Sequence, residues 1–258
     1  MHLVVGERVY SQIPQLKPTP PVYGAFLLGC VLVDVHIVSS LDRPQTHFVG
    51  RLEEDGESAF RTSCASFLSQ VNVLLLRRWS SLSRCGQAFV AGYLCHLATD
   101  ESWKEYNWCL LQELGITSVS ALPVPNEVLL TAYQVLSAKA FVDASRVASA
   151  LKEVVIPDVL AHLPHEALVR MWKTIQPLAL DGSSPESYFQ MARRAGESEA
   201  VVQAIREEHD SHWDDTISFI QVRGGVEPQI QRAVARSVDA VPKLWAKGSA
   251  PLTFPLST

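Results

Sequence analysis

Gly92-Tyr93-Leu94-Cys95-His96-Leu97-Ala98-Thr99-Asp100 is the stretch on which the reading of this chain turns. It sits within a longer apolar run, residues 86–103, that contains no proline and no strict apolar–polar alternation, so it reads as a helix rather than a strand. The pattern continues or kinks through residues 104–114 and stops before Gly115, a residue suited to the left-handed position that follows a helix. On a helix, His96 and Asp100 stand four residues apart on one face, where an imidazole and a carboxylate can reach the same ion.

Away from that stretch, Ala, Leu, Val, Gln, Glu and Arg recur at helical spacing and period-two runs are scarce, which predicts an all-α, multi-helix bundle. Helices are predicted over residues 3–13, 22–38, 57–79, 126–155 with Asn126 as N-cap, 165–175, 185–222 and 228–245. Pro14, Pro18, Pro20 and Pro21 force an extended connection after the first, and residues 41–50 read as a loop because Pro44 disfavours helix at Arg43. Gly182-Ser183-Ser184-Pro185 and Gly224-Gly225 read as turns. The expected organisation is one domain over residues 1–246, with a metal-site half (1–115) and a helical second half (123–246), followed by a loosely held tail, 247–258.

Composition removes several classes. A chain of 258 residues that is 47% hydrophobic can bury a full core and is not disordered. Twenty-two basic against 27 acidic residues give a net charge of −5, so no stable nucleic-acid binding is expected. Five cysteines without a C-x-x-C pair argue against a disulfide framework. The first residues lack the basic and apolar regions of a secretory signal, and the expected location is cytoplasmic. Residues 22–38 reach the short limit of ~17 residues for a membrane span. Asp34 and His36 inside that run make it a core helix instead, and no transmembrane segment is expected.

Asp34 raises a further question, because it interrupts an apolar helix with no basic residue nearby in sequence, and burying an unpaired carboxylate is expensive. Asp100 poses the same problem, and a shared divalent cation answers both. Asp34, His47, His96 and Asp100 then form a nitrogen–oxygen ligand set. His36, two residues from Asp34, is predicted to point elsewhere. In Glu208-His209-Asp210-Ser211-His212, the two histidines are helical neighbours; they read as a solvated charged face, with a supplementary metal site or the His-Asp pair of an HD-type phosphohydrolase as functional alternatives. Arg77-Arg78 and Arg193-Arg194 are exposed candidates for phosphate contacts, with solvated helix faces as the plainer account.

Gly24-Ala25-Phe26-Leu27-Leu28-Gly29, Val33-Asp34, Thr46-His47-Phe48 and the segment from Ala91 through His96 and Asp100 to Glu101, together with His2 near the start, resemble the zinc-dependent phospholipase C family over residues 1–110. The resemblance implies a helical bundle that hydrolyses phosphodiester bonds of phospholipids, with one or two zinc ions. Asp34, His47, His96 and Asp100 would surround one zinc, Asp100 would bridge to a second held by His2, and Asp34 would be the general base or orienter of the attacking water. The site is expected where the first, second and fourth predicted helices converge. Two features depart from the family: Val33 stands where proline is usual, and the H-x-x-x-E pair of a third zinc is missing after residue 103. His162 and Glu166 have that spacing, but Pro164 lies between them. A helical protein with a structural or sensory metal site is the competing reading.

Overall fold

The computed structural model describes residues 1–16, 19–48, 63–181 and 184–248. Among them every regular element is helical, and the single β contact is an isolated antiparallel bridge between Leu75 and Leu160. The predicted tail from residue 249, the first residues of the predicted 57–79 helix and the Gly182-Ser183 turn lie outside the described residues.

The organising element is α5 (Arg84–Leu114), a continuous helix of 31 residues, or about 46 Å at 1.5 Å per residue. Ser83 opens it by accepting the Gly86 N–H, and Gly115, at φ 66°, closes it. Its first half is buried on every side, Gly86 through Thr99 with few gaps, as its apolar composition requires. Against it lies α2 (Pro20–Leu32), equally apolar and started by Pro20 and Pro21 in its first turn. The stretch Pro20–Val38 is apolar and long enough to cross a membrane by composition. In this fold most of it is buried between α5, α1 and α7, the position of a core helix.

The two helices meet backbone to backbone. A Cβ placed on Gly92 would lie 1.9 Å from the Phe26 carbonyl oxygen, and one on Gly29 would lie 2.1 Å from that of Phe89. Around this pair pack α1 (His2–Tyr10), α4 (Ser63–Leu74) and α11 (Glu227–Ala240), and a continuous apolar core runs from Val4 to Leu244. A smaller cluster, Val124, Leu129, Ala132, Tyr133 and Ile220, holds α6 (Asn126–Ala138) to α10 (Glu199–Gln221).

The structure departs from the predicted helices where side chains or glycines capture the backbone. The 22–38 helix ends at Leu32 and tightens into a 3₁₀ segment, Val33–Val38, kinked at Asp34. The 41–50 loop contains a short helix, α3 (Arg43–His47), because Asp42 and Gln45 form a reciprocal capping box and Pro44 occupies the first turn, where it is tolerated. The 165–175 helix, α8 (His165–Asp181), runs on through Pro177. The 185–222 helix divides at Gly196, φ 101°, into α9 (Pro185–Ala195) and α10, and Pro242 separates α11 from α12 (Lys243–Gly248).

The 126–155 helix also divides, with Pro125 rather than Asn126 as N-cap, into α6 and α7 (Ala144–Lys152). Buried Glu7 of α1 explains the break: its carboxylate accepts the Val142 N–H at 2.8 Å and the Asp143 N–H at 2.6 Å, while Arg8 donates to the Ala140 carbonyl at 3.0 Å. Two charge-assisted bonds from one carboxylate outweigh another helical turn here. Glu7→Ala is expected to cost about 2–3 kcal/mol, since it strands two partly buried N–H groups. Urea unfolding measures this, and a midpoint shift below that of an ordinary surface substitution would remove the clasp from the account.

Candidate metal centre

The fold gathers donors from four separate elements. His2 comes from the first residue of α1, Asp34 and His36 from the 3₁₀ segment, His47 from the end of α3, and His96 and Asp100 from successive turns of α5. Among the described residues, three triads have donor atoms within 4.8 Å of one another: His2, Asp34 and His96; Asp34, His36 and His47; and His47, His96 and Asp100.

Hydrogen bonds fix which nitrogen of each ring faces inward. His96 Nδ1 lies 2.9 Å from the Cys30 carbonyl, which can only accept, so Nδ1 donates there and Nε2 is turned toward the other donors. For His47, Nδ1 is engaged by the Thr46 hydroxyl at 2.8 Å, which turns Nε2 toward the carboxylates. Tyr93 holds this corner in place by donating from its hydroxyl to the Thr46 carbonyl. The two Nε2 atoms thus face each other at 3.3 Å, where a cation could be held by both.

The spacings suit one small cation. His47 Nε2 is 3.2 Å from Asp34 Oδ1 and 3.4 Å from Asp100 Oδ2, and His96 Nε2 is 3.8 Å from each of those oxygens. Donors arranged tetrahedrally at ~2.0–2.1 Å from an ion lie roughly 3.3 Å apart. The second oxygen of Asp100 turns the other way, 3.5 Å from His2 Nε2. The His2 ring stacks on His96 with centroids 4.0 Å apart, and its Nδ1 is buried without a hydrogen-bond partner.

The electrostatics favour the ion-binding protonation state. Burial, reinforced by His96, pushes the His2 imidazole well below its ordinary range. His47 is lowered by burial, only partly offset by its contact with Asp34, and His36 is lowered by burial as well. Burial raises the Asp34 carboxyl, but His96, His47 and His2 outweigh it and hold the group well below the usual carboxylate range. These shifts favour neutral imidazoles at His2, His36 and His47 and an ionised Asp34, the forms a metal requires.

Two members were missed or misplaced by sequence reasoning. His36 does not point away: the kink at Asp34 abandons α-helical spacing and brings it to Asp34 and His47, with imidazole centroids 5.2 Å apart. Arg43, read only as a residue before proline, donates to Asp100 Oδ2 at 2.7 Å from the first turn of α3; the D-x-x-Q capping pattern at Asp42 was the available signal. His162, Glu166, His209 and His212 join no donor triad among the described residues. His162 is half-buried against Phe48 and Tyr93, its pKa pushed down to about 4 by burial. His209 is buried, not part of a solvated face: it sits among Tyr188, Phe189 and Trp213, with both ring nitrogens lacking a hydrogen-bond partner.

Beside the centre opens an apolar cavity of 280 Å³. His2, Asp34 and Gln134 are its polar side chains, and Val31, Phe141, Met171 and Ile175 are among the apolar ones. Fold and centre together define an all-α bundle with a histidine–carboxylate site able to hold a metal ion. No family model, curated protein or solved structure matches the chain.

Proposed function

We propose that the chain is a zinc-dependent phosphodiester hydrolase, similar to the zinc-dependent phospholipases C. The observation that supports this most is the convergence of His2, Asp34, His47, His96 and Asp100, from four elements, at spacings suited to zinc. Asp34, His47, His96 and Asp100 would hold one ion; His2 and the outward oxygen of Asp100 would hold a second. Zinc bound there supplies a Lewis acid and a water of lowered pKa.

The chain's own residues account for the rest. Asp34 belongs both to the cluster and to the cavity, so its carboxylate is placed to accept a proton from a water approaching a substrate in that cavity. Two carboxylates against two divalent ions leave a residual charge of about +2, to which Arg43 adds, and this favours a phosphate anion. The cavity walls favour a phosphodiester bearing an apolar chain.

A structural or sensory metal site is the second reading, favoured by one observation: two imidazoles and two carboxylates already complete four-coordination, the arrangement of a closed site. Zinc-loaded protein assayed with dihexanoyl-phosphatidylcholine and with glycerophosphocholine separates the two. The hydrolase reading expects turnover of the acylated substrate at least roughly tenfold above the deacylated one, from burial of a few methylene groups. Zinc bound tightly with no turnover of either would leave the structural site.

A further inference from the structure

A second concave site lies on the other side of the 3₁₀ segment, a cleft of 690 Å³ floored by Ile37 to Ser40. Its walls carry Arg170 and Lys173 of α8 and Arg194 from the last turn of α9. Arg170 and Lys173 are three residues apart and share a helix face. Arg194 lines the cleft with them, whereas its neighbour Arg193 is bonded at 2.8 Å to Glu199 and paired with Glu186. No acidic side chain lines the cleft, and among the described residues none of the three cations takes part in an ion pair.

Arg170, Lys173 and Arg194 are all exposed, so solvent weakens their mutual repulsion, but together they concentrate positive charge at one cleft of a chain whose net charge is −5. An oxyanion is the ligand that such a concentration of positive charge attracts. Two guanidinium forks match the paired oxygens of a phosphate, and an ammonium adds a third contact. The Ser40 side chain at the floor brings a hydroxyl donor. We propose that the Arg170–Lys173–Arg194 cleft is a phosphate-binding site separate from the metal centre.

The assignment is independent of the hydrolase reading, because no metal ligand lines the cleft. Its ligand is a phosphate monoester or diester group, carried either by a free small molecule or by a lipid headgroup. Ile37 belongs to both concavities, and α8 turns Met171 and Ile175 to the apolar cavity while Arg170 and Lys173 face the cleft.

Arginine Nε–Hε resonances in a two-dimensional NMR spectrum, assigned through Arg170→Lys and Arg194→Lys, read the cleft directly and leave the metal centre out of the signal. Inorganic phosphate titrated into the full chain is expected to shift both resonances to saturation, and Lys173→Glu is expected to weaken that binding by roughly tenfold or more. Shifts that rise without saturating, or an unchanged affinity in Lys173→Glu, overturn the proposal. Co-sedimentation with phosphatidylcholine vesicles, with and without phosphatidic acid, identifies the source. Binding that needs phosphatidic acid and fails in Lys173→Glu assigns a headgroup; saturation by phosphate with no vesicle binding assigns a free phosphate compound.

Discussion

Asp100→Asn is expected to abolish metal binding at both halves of the centre while leaving the helices intact. The substitution keeps the shape of the side chain and removes its charge. One oxygen of Asp100 stands 3.4 Å from His47 Nε2 and the other 3.5 Å from His2 Nε2, so the loss reaches both groups of donors. Removing a hydrogen-bond partner behind a ligand costs roughly 10- to 100-fold in metal affinity, and losing an anionic ligand should cost more. Elemental mass spectrometry of untagged protein, beside His96→Ala, measures the outcome. Full zinc content in Asp100→Asn would refute the bridging role, and no metal in the unmutated protein either would refute the centre itself.

Gly92→Ala is expected to damage the fold more than alanine at any other glycine among the described residues. The new Cβ would fall 1.9 Å from the Phe26 carbonyl oxygen, and the obstacle is backbone, which cannot rotate away as a side chain can. Overpacking of this kind costs ~3 kcal/mol or more, and for a domain of this size that lowers the melting temperature by about 10 °C. Gly115→Ala is the control: its Cβ would meet nothing within 4 Å, but φ is 66°, so only a conformational penalty of about 1 kcal/mol applies. Calorimetry on the two variants decides the matter, and similar melting temperatures would mean that α2 and α5 can separate cheaply.

The all-α class was legible because apolar periodicity carries the helix signal directly. His96 and Asp100 were legible as a pair because four residues on one helix need no tertiary information. The departures come from long-range capture of the backbone. Nothing in residues 126–155 says that Glu7, more than a hundred residues earlier, will hold the N–H groups of Val142 and Asp143. His36 was misplaced for a related reason, since its direction depends on a kink at Asp34 that the apolar pattern does not encode. His209 was misread because charged neighbours on a helix say nothing about the one residue among them that turns inward onto aromatic rings.

The tight crossing of α2 and α5 also links the core to the chemistry of the centre. Cys30, whose carbonyl orients the His96 imidazole, follows Gly29 directly, and Gly92 lies one turn before His96. The separation of the two helices therefore works as a gauge: any widening draws the carbonyl from the ring and frees the imidazole to turn. An ion held by His96 would resist that widening, so metal affinity and thermal resistance would be two readings of one distance.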